Sequence, residues 1–420
     1  MFLLLNCFAS YAANGDLITK QITLKLTEAG TLPNKIVSNK KDLVTNLKII
    51  GEINGTDLRF IREMAGSDVE GHSTSGNLSV LDLSEARFVA GGDYYYAYYR
   101  ENYYTSNNII SDYSFFNCSS LTSVIIPSSV TRIGENAFRG CSSLTSVNIP
   151  SSVTEIGGGA FDGCSSLTSV NIPSSVTEIG GGAFDGCSSL TSVIIPSSVT
   201  EIRESTFSSC SSLTSVNIPS SVTSIGKRAF RSCGSLASVN IPSSVTRIGD
   251  EAFVSCRSLT SVDIPSSVTS IGDFAFLRCS SLTSVNIPPS VTEIERATFA
   301  RCSSLTSVII PSSVTKIGGS AFSDCSSLTS VNIPSSVTII GEYTFSCCSS
   351  LTSVNIPSSV TSIGERAFEN CSGLRSVYVY AETPPSISAN AFEGCDLKNC
   401  TFYVPKGTYD AYWLSEWGGF

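Results

Sequence analysis

Residues 118–140 read Cys118-Ser-Ser-Leu121-Thr-Ser-Val124-Ile-Ile126-Pro127-Ser-Ser-Val130-Thr-Arg-Ile133-Gly134-Glu-Asn-Ala137-Phe138-Arg-Gly140, and residue 141 is cysteine again. Cysteine returns every 23 residues at 118, 141, 164, 187, 210, 233, 256, 279, 302, 325, 348 and 371. Phenylalanine keeps the same step from Phe115 to Phe368, and proline from Pro127 to Pro357. A fixed period of this length is the mark of a stacked repeat.

Within one unit, Val124 and Ile126 alternate with Ser123 and Ile125, which is strand period. Leu121 precedes them. Pro127 has no N–H to donate, so the strand stops there. Ser128 and Ser129 suit a turn. Val130 and Ile133 return apolar groups to the interior, and Gly134 permits a tight corner. Ala137, Phe138 and Cys141 sit at helical offsets, which predicts one helical or 3-10 turn presenting all three inward. A single unit cannot hide its apolar side. Neighbouring units must stack to bury it, which predicts a solenoid with a continuous core and capped ends.

The chain has 420 residues and a formal net charge of −9. That charge argues against a nucleic-acid partner, which wants a basic stripe. Charged residues make up only 15%, so Ser, Thr, Asn and Gly must dominate the surface. Of 16 cysteines, most occupy one register of the repeat. Stacked coils bring such residues about 5 Å apart, yet parallel inward side chains are a poor start for bridging. They read as buried free thiols acting as small hydrophobes. No Cys-x-x-Cys pair offers a zinc site, and Cys347 and Cys348 point to opposite sides. Cys395 and Cys400 lie outside the register and either pair or stay free. No cofactor or metal is expected.

Residues 1–13, MFLLLNCFASYAA, read as a signal-peptide remnant with cleavage near Ala12 or Ala13, although a basic start is missing. Leu4-Leu5-Asn6-Cys7 faintly resembles a lipoprotein attachment site, with Asn6 where a small residue is usual. Residues 14–110 read as an N-terminal cap of irregular leucine-rich coils. Ile18 to Leu26 and Leu43 to Ile50 are its strands. Asp57 to Ala65 is a short helix, capped by Thr56 or Asp57 and stopped by Gly66. Leu78 to Leu83 is a further strand. The array fills 111–380. Residues 381–420 form the C-terminal cap, with a strand at Phe402 to Pro405 and an amphipathic helix from Thr408 to Trp417. No stretch beyond the leader is long and apolar enough to span a bilayer.

The pattern Leu-x-x-Val-x-Ile-Pro-x-x-Val-x-x-Ile-Gly-x-x-Ala-Phe-x-x-Cys resembles the BspA-like leucine-rich repeat family. Leu144, Val147, Ile149, Pro150, Val153, Ile156, Gly157, Ala160, Phe161 and Cys164 match it, as do most later units. Arg203 and Glu295 replace the corner glycine, and Thr206, Thr298 and Thr344 replace the alanine. The resemblance implies an α/β repeat solenoid: a leucine-rich repeat right-handed superhelix with parallel β-strands on the concave face and short helical or 3-10 turns on the convex face. It further implies a secreted or cell-surface protein that binds other proteins, in adhesion to host or neighbouring cells. The run from Asn54 to Ala65 and Leu81-Asp-Leu-Ser84 is similar to the N-terminal region of the bacterial members.

Nothing points to an enzyme. The sole histidine, His72, lies in a polar loop without a named base or metal partner. Glu155 with Glu178, and Asp162 with Asp185, stack one coil apart at about 5 Å and read as surface charge. The candidate protein contacts are Tyr94, Tyr95, Tyr96, Tyr98 and Tyr99 in the tyrosine-rich run 91–104, and Asn148, Asn171, Asn217 and Asn240 at the strand's outward position. Tyr buries area while keeping a polar tip. The competing reading is an insertion whose rings pack on the solenoid flank. The expected partner is a host-matrix or other cell-surface protein. A self-assembling envelope protein is the alternative. A carbohydrate-active right-handed β-helix stands last, since the Ala-Phe-x-x-Cys turn does not suit three strands per coil.

Overall fold

The structure, a computed structural model, describes residues 16–420. The expected leader and the Leu4–Cys7 segment lie outside the described residues. The chain divides into two compact units: one runs to Val199 and includes Ser205–Leu213, and the other holds Thr200–Glu204 and Thr214–Phe420. Both are parallel β-solenoids.

The first unit opens with β1 (Ile22–Lys25), β2 (Asn46–Ile53) and β3 (Val80–Phe88), all parallel. Ser123–Ile125 continues the sheet from β3, pairing Leu81 with Val124. Ser146–Asn148, Ser169–Asn171 and Ser192–Ile194 follow at one strand per coil. A second ladder of two-residue strands, Ile109–Ile110, Arg132–Ile133, Glu155–Ile156 and Glu178–Ile179, forms another wall. The second unit repeats this plan, from Ser215–Asn217 to Thr401–Tyr403 on the strand wall. The wall strands from Ser123–Ile125 to Ser353–Ile356 are short because a proline follows each and cannot extend the ladder.

The core is a set of columns. Phe138 stacks on Phe115 with ring centroids 5.0 Å apart and on Phe161 at 5.3 Å. In the second unit Phe276 lies 5.3 Å from Phe253 and 5.5 Å from Phe299. The register cysteines are buried thiols outside any disulfide. Their thiols are hydrogen-bonded as well as packed: Cys141 Sγ donates to Phe115 O at 3.1 Å, and Cys279 Sγ to Phe253 O at 3.2 Å. Hydroxyls link coils too. Thr145 sends both its N–H (2.9 Å) and its Oγ1 (3.0 Å) to Thr122 O, and Ser152 Oγ donates to Val130 O at 2.5 Å. Serine and threonine at the surface thus also wire coil to coil.

The Ala-Phe-x-x-Cys segment departs from expectation. It faces Ala137, Phe138 and Cys141 inward, but as consecutive turns rather than a helical or 3-10 turn. Alternate residues use different partners. Asn136, Phe138 and Gly140 donate N–H to Gly158, Ala160 and Asp162 of the next coil, at 2.9, 2.7 and 2.8 Å. Arg139 and Cys141 donate three residues back in their own coil, at 3.1 Å each. This alternation puts two residues per coil in the left-handed region: Asn136 and Gly140, Gly159 and Gly163, Phe274 and Arg278. A left-handed L-residue costs about 1–2 kcal/mol, which inter-coil hydrogen bonds offset.

The corner glycines serve close approach, not an unusual φ. Gly134, Gly157 and Gly249 do not have positive φ. A Cβ on Gly157 would meet Gly134 C at 2.6 Å, and one on Gly249 would meet Lys227 N at 2.7 Å. Coil stacks on coil through bare backbone. Where Glu295 replaces the glycine, the two-residue ladder breaks: Ser270–Ile271 and Glu293–Ile294 belong to different sheets.

Between β2 and β3, α1 (Gly55–Met64) is capped by Asn54, whose side chain accepts Thr56 N, with Asp57 completing a capping box. Asn54, not Thr56 or Asp57, is the cap because Asp57 is buried and committed elsewhere. Its carboxylate accepts Gly30 N at 2.6 Å, Leu32 N at 2.9 Å and Asn54 N at 3.0 Å. At the other end the expected helix from 408 to 417 is only α2 (Tyr409–Trp413), followed by a 3-10 turn at Glu416–Gly419. Tyr412 and Trp417 close the core, donating to Ala381 O at 2.6 Å and Pro385 O at 2.8 Å. Tyr409 and Trp413 remain exposed. Cys395 and Cys400 are free.

Candidate contact surfaces

The tyrosine-rich run is a β-hairpin, with β4 (Gly91–Tyr98) antiparallel to β5 (Glu101–Thr105). Its base abuts α1: Asp93 N donates to Thr56 Oγ1 at 2.9 Å. A Cβ on Gly92, at φ +73, would meet Asn54 Oδ1 at 2.6 Å.

The hairpin's tyrosines divide by depth. Tyr95 and Tyr96 are buried, which removes them from the candidate contacts. Tyr95 Oη donates to Asp112 O at 2.6 Å, and burial pushes its phenol well up. Tyr96 lies 5.1 Å from Tyr113 and 5.2 Å from Phe116, centroid to centroid. The buried Arg62 guanidinium covers the Tyr96 ring at 4.9 Å. Arg62 also donates to Tyr113 O (2.8 Å), Ser114 O (3.2 Å), Asp68 O (2.9 Å) and Ser67 Oγ (3.1 Å). It fastens α1 to the hairpin and to the first array coil. Nothing in the sequence reading singled it out, since an arginine in a short helix is ordinarily solvated.

Tyr98, Tyr99 and Tyr104 are exposed. Tyr94 is half-buried and meets Tyr104 edge-on at 6.5 Å, with the Arg59 guanidinium 5.4 Å from its ring. Tyr99 occupies the two-residue turn at φ +54 and is 92% exposed. Turns with a positive φ at that position ordinarily carry glycine.

On the strand walls, Asn148, Asn171, Asn217 and Asn240 are all exposed. Asn148 pairs in register with Asn171 in the first unit, and Asn217 with Asn240 in the second. The same outward position holds Ile194 (73% exposed) and Ile309 (67% exposed).

The corner flank carries ion pairs between successive coils. Arg132 Nε meets Glu155 Oε1 at 2.9 Å, Arg139 Nε meets Asp162 Oδ2 at 3.0 Å, and Arg228 Nη2 meets Glu251 Oε1 at 2.8 Å. The hydrogen bond from Arg228 holds the Glu251 carboxyl below its usual range, whereas burial raises Asp162. Glu155 and Glu178 do pair in register on this flank. His72 is exposed, with Asp68 and Glu70 each 3.5 Å from its Nδ1. Among the described residues no group of three or more His, Cys, Asp or Glu is placed to hold a metal ion. No helix of the described residues is long and apolar enough to cross a membrane.

The sequence profile of the BspA type Leucine rich repeat region (6 copies) matches residues 107–234, 200–308, 223–349 and 292–409. No curated protein matches the chain. Among solved structures, a leucine-rich repeat protein from Bacteroides ovatus is 29% identical, with 74% of this chain and 90% of that one covered at a TM-score of 0.56. A leucine rich cell surface protein from Faecalibacterium prausnitzii is 30% identical over 76% of this chain and 88% of its own, with a TM-score of 0.44. Such repeat solenoids are generally protein-binding scaffolds and typically not enzymes. The 23-residue spacing, the phenylalanine and cysteine columns and the profile match agree: this chain belongs to the BspA-type leucine-rich repeat family.

Proposed function

We propose that the chain is a secreted or cell-surface scaffold whose partner is a protein of the host matrix or of a neighbouring cell, and that it acts in adhesion. The observation that carries this is Tyr99, held in a glycine-type conformation and left 92% exposed. Left-handed tyrosine is costly, and such local strain belongs with binding segments. Tyr98 and Tyr104 beside it add aromatic area of the kind that anchors interfaces. The hairpin is the primary contact. The asparagines on the strand walls supply weaker polar contacts.

The test is solid-phase binding of the full chain to an extracellular-matrix extract and to intact co-resident microbial cells. A variant with Tyr98→Ser, Tyr99→Gly and Tyr104→Ser should lose most of the binding while remaining folded. Equal binding by this variant contradicts the assignment. The second reading, self-assembly, is favoured by Ile194 and Ile309, both well exposed on strand walls whose outward position is mostly asparagine. Sedimentation at rising concentration separates the two. Growth of oligomers that Ile194→Asn with Ile309→Asn abolishes would support self-assembly.

A further inference from the structure

The second unit has an arginine face at odds with an acidic chain. Residues following the register cysteine are small throughout the array, as in Ser142, Ser165, Gly234 and Ser280, except for Arg257. Residues two after the core phenylalanine run Gly140, Gly163, Gly186, Ser209, Ser232 and Ser255, then Arg278 and Arg301. Two adjoining surface hollows, of about 710 and 450 Å³, share Arg257 and Arg278 as a common wall. Arg231 flanks the larger hollow and Arg301 the smaller.

The two carboxylates at these hollows are already engaged. Glu251 is held by Arg228 at 2.8 Å and by Arg231 at 3.3 Å, and Asp324 lies 3.4 Å from Arg301. Arg257 and Arg278 are exposed and make no ion pair among the described residues. Four guanidiniums thus face two carboxylates. Arg278 and Arg301 also hold φ near +60°, at 63° and 61°, where glycine would be cheaper.

We infer that this face binds an acidic polysaccharide, with Arg257 and Arg278 gripping its carboxylate or sulfate groups. The guanidinium fork matches such planar or tetrahedral anions. Ser232, Ser255, Ser280 and Ser303 line the same hollows and offer hydroxyls to sugar hydroxyls. Nucleic acid fits less well. The Phe274 ring is covered by the Arg296 guanidinium at 5.5 Å, so it is no stacking platform for a base. An acidic peptide would want an apolar anchor, and the smaller hollow, walled by Arg257, Arg278, Ser280, Arg301, Ser303 and Asp324, has no apolar side chain to offer one. The site binds without cleaving, and it is independent of the hairpin and of the protein-binding reading.

The experiment is calorimetric titration of the full chain with a heparin-derived oligosaccharide (sulfated), an oligogalacturonate (carboxylated), neutral dextran, polyglutamate and single-stranded DNA. One or both acidic oligosaccharides should bind, more weakly as salt rises, and dextran should not. Arg257→Ser and Arg278→Gly should each weaken binding about tenfold. Arg278→Gly should at the same time raise the thermal midpoint, because glycine accepts that φ without strain. A stabilised protein that has lost its ligand cannot be explained by misfolding. The inference is overturned if neither acidic oligosaccharide binds, if both variants bind as the parent does, or if polyglutamate or DNA binds as tightly as the sugars.

Discussion

Cys164 Sγ donates to the carbonyl oxygen of Phe138, one coil earlier and 3.2 Å away, and that oxygen also accepts Cys141 N at 3.1 Å. The thiol thus fills a column and occupies the second lone pair of a buried carbonyl. Cys164→Ala should cost about 1–2 kcal/mol, part hydrogen bond and part cavity. Urea unfolding followed by circular dichroism measures it. No change would make the thiol mere filler.

The same burial controls reactivity. It pushes the Cys256 and Cys302 thiols up to about 12, from an ordinary 9.0. A folded value above the unfolded one means that this stability is complete below the ordinary thiol pKa and is lost as pH rises toward 12. The urea midpoint should therefore fall between pH 9 and 12. At pH 8, alkylation of the native chain should mark the half-buried Cys347, Cys395 and Cys400 and spare Cys256. Alkylated Cys256 in folded protein would contradict this.

Glu295 stands where its neighbours have glycine, and the short ladder breaks beside it. Thr269 donates to Thr246 O at 2.9 Å and Thr315 to Thr292 O at 2.9 Å, whereas Thr292 makes no such bond among the described residues. Glu295→Gly should let the coils close, adding about 1 kcal/mol and protecting the Thr292 amide from hydrogen exchange. Burial, the leading cause, also raises the Glu295 pKa. Its charged form is thus disfavoured in the fold, and the destabilisation appears as pH rises through the raised value. Glu295→Gln should gain stability at pH 7 and lose that advantage in acid. An unchanged pH profile would contradict this.

The period, the inward set and the glycine corner are legible in the sequence because identical environments repeat and select identical residues. Val124, Phe138 and Cys141 show the rule. The left-handed pairs are not legible. They hold Gly159, Phe274, Arg278 and Tyr343 alike, since hydrogen bonds to the next coil impose the backbone whatever the side chain. The corner glycine was legible as glycine but not as a contact, because close approach depends on the neighbouring coil. The tyrosine run was legible as an oddity. Its division into buried Tyr96 and exposed Tyr99 depends on Arg62 and Tyr113, which lie outside the run.

Arg62 joins α1 to Ser67, Asp68, Tyr113 and Ser114 through four hydrogen-bond acceptors and meets the hairpin through the Tyr96 ring. Arg62→Lys keeps the charge and loses the planar fork. We expect a loss of about 2–3 kcal/mol in the first unit's urea unfolding. Arg62→Lys of parental stability would show that these bonds hold nothing together.

The most direct measurement removes one whole coil, residues 164–186, and compares it with removal of 164–175 alone. The first deletion joins Gly163 to Cys187 and keeps every column in register. It should give a shorter protein with the parent's circular dichroism per residue and cooperative unfolding. The second places polar residues where the core requires apolar ones and should not fold. Equal folding of the two would contradict a core made of interchangeable stacked coils.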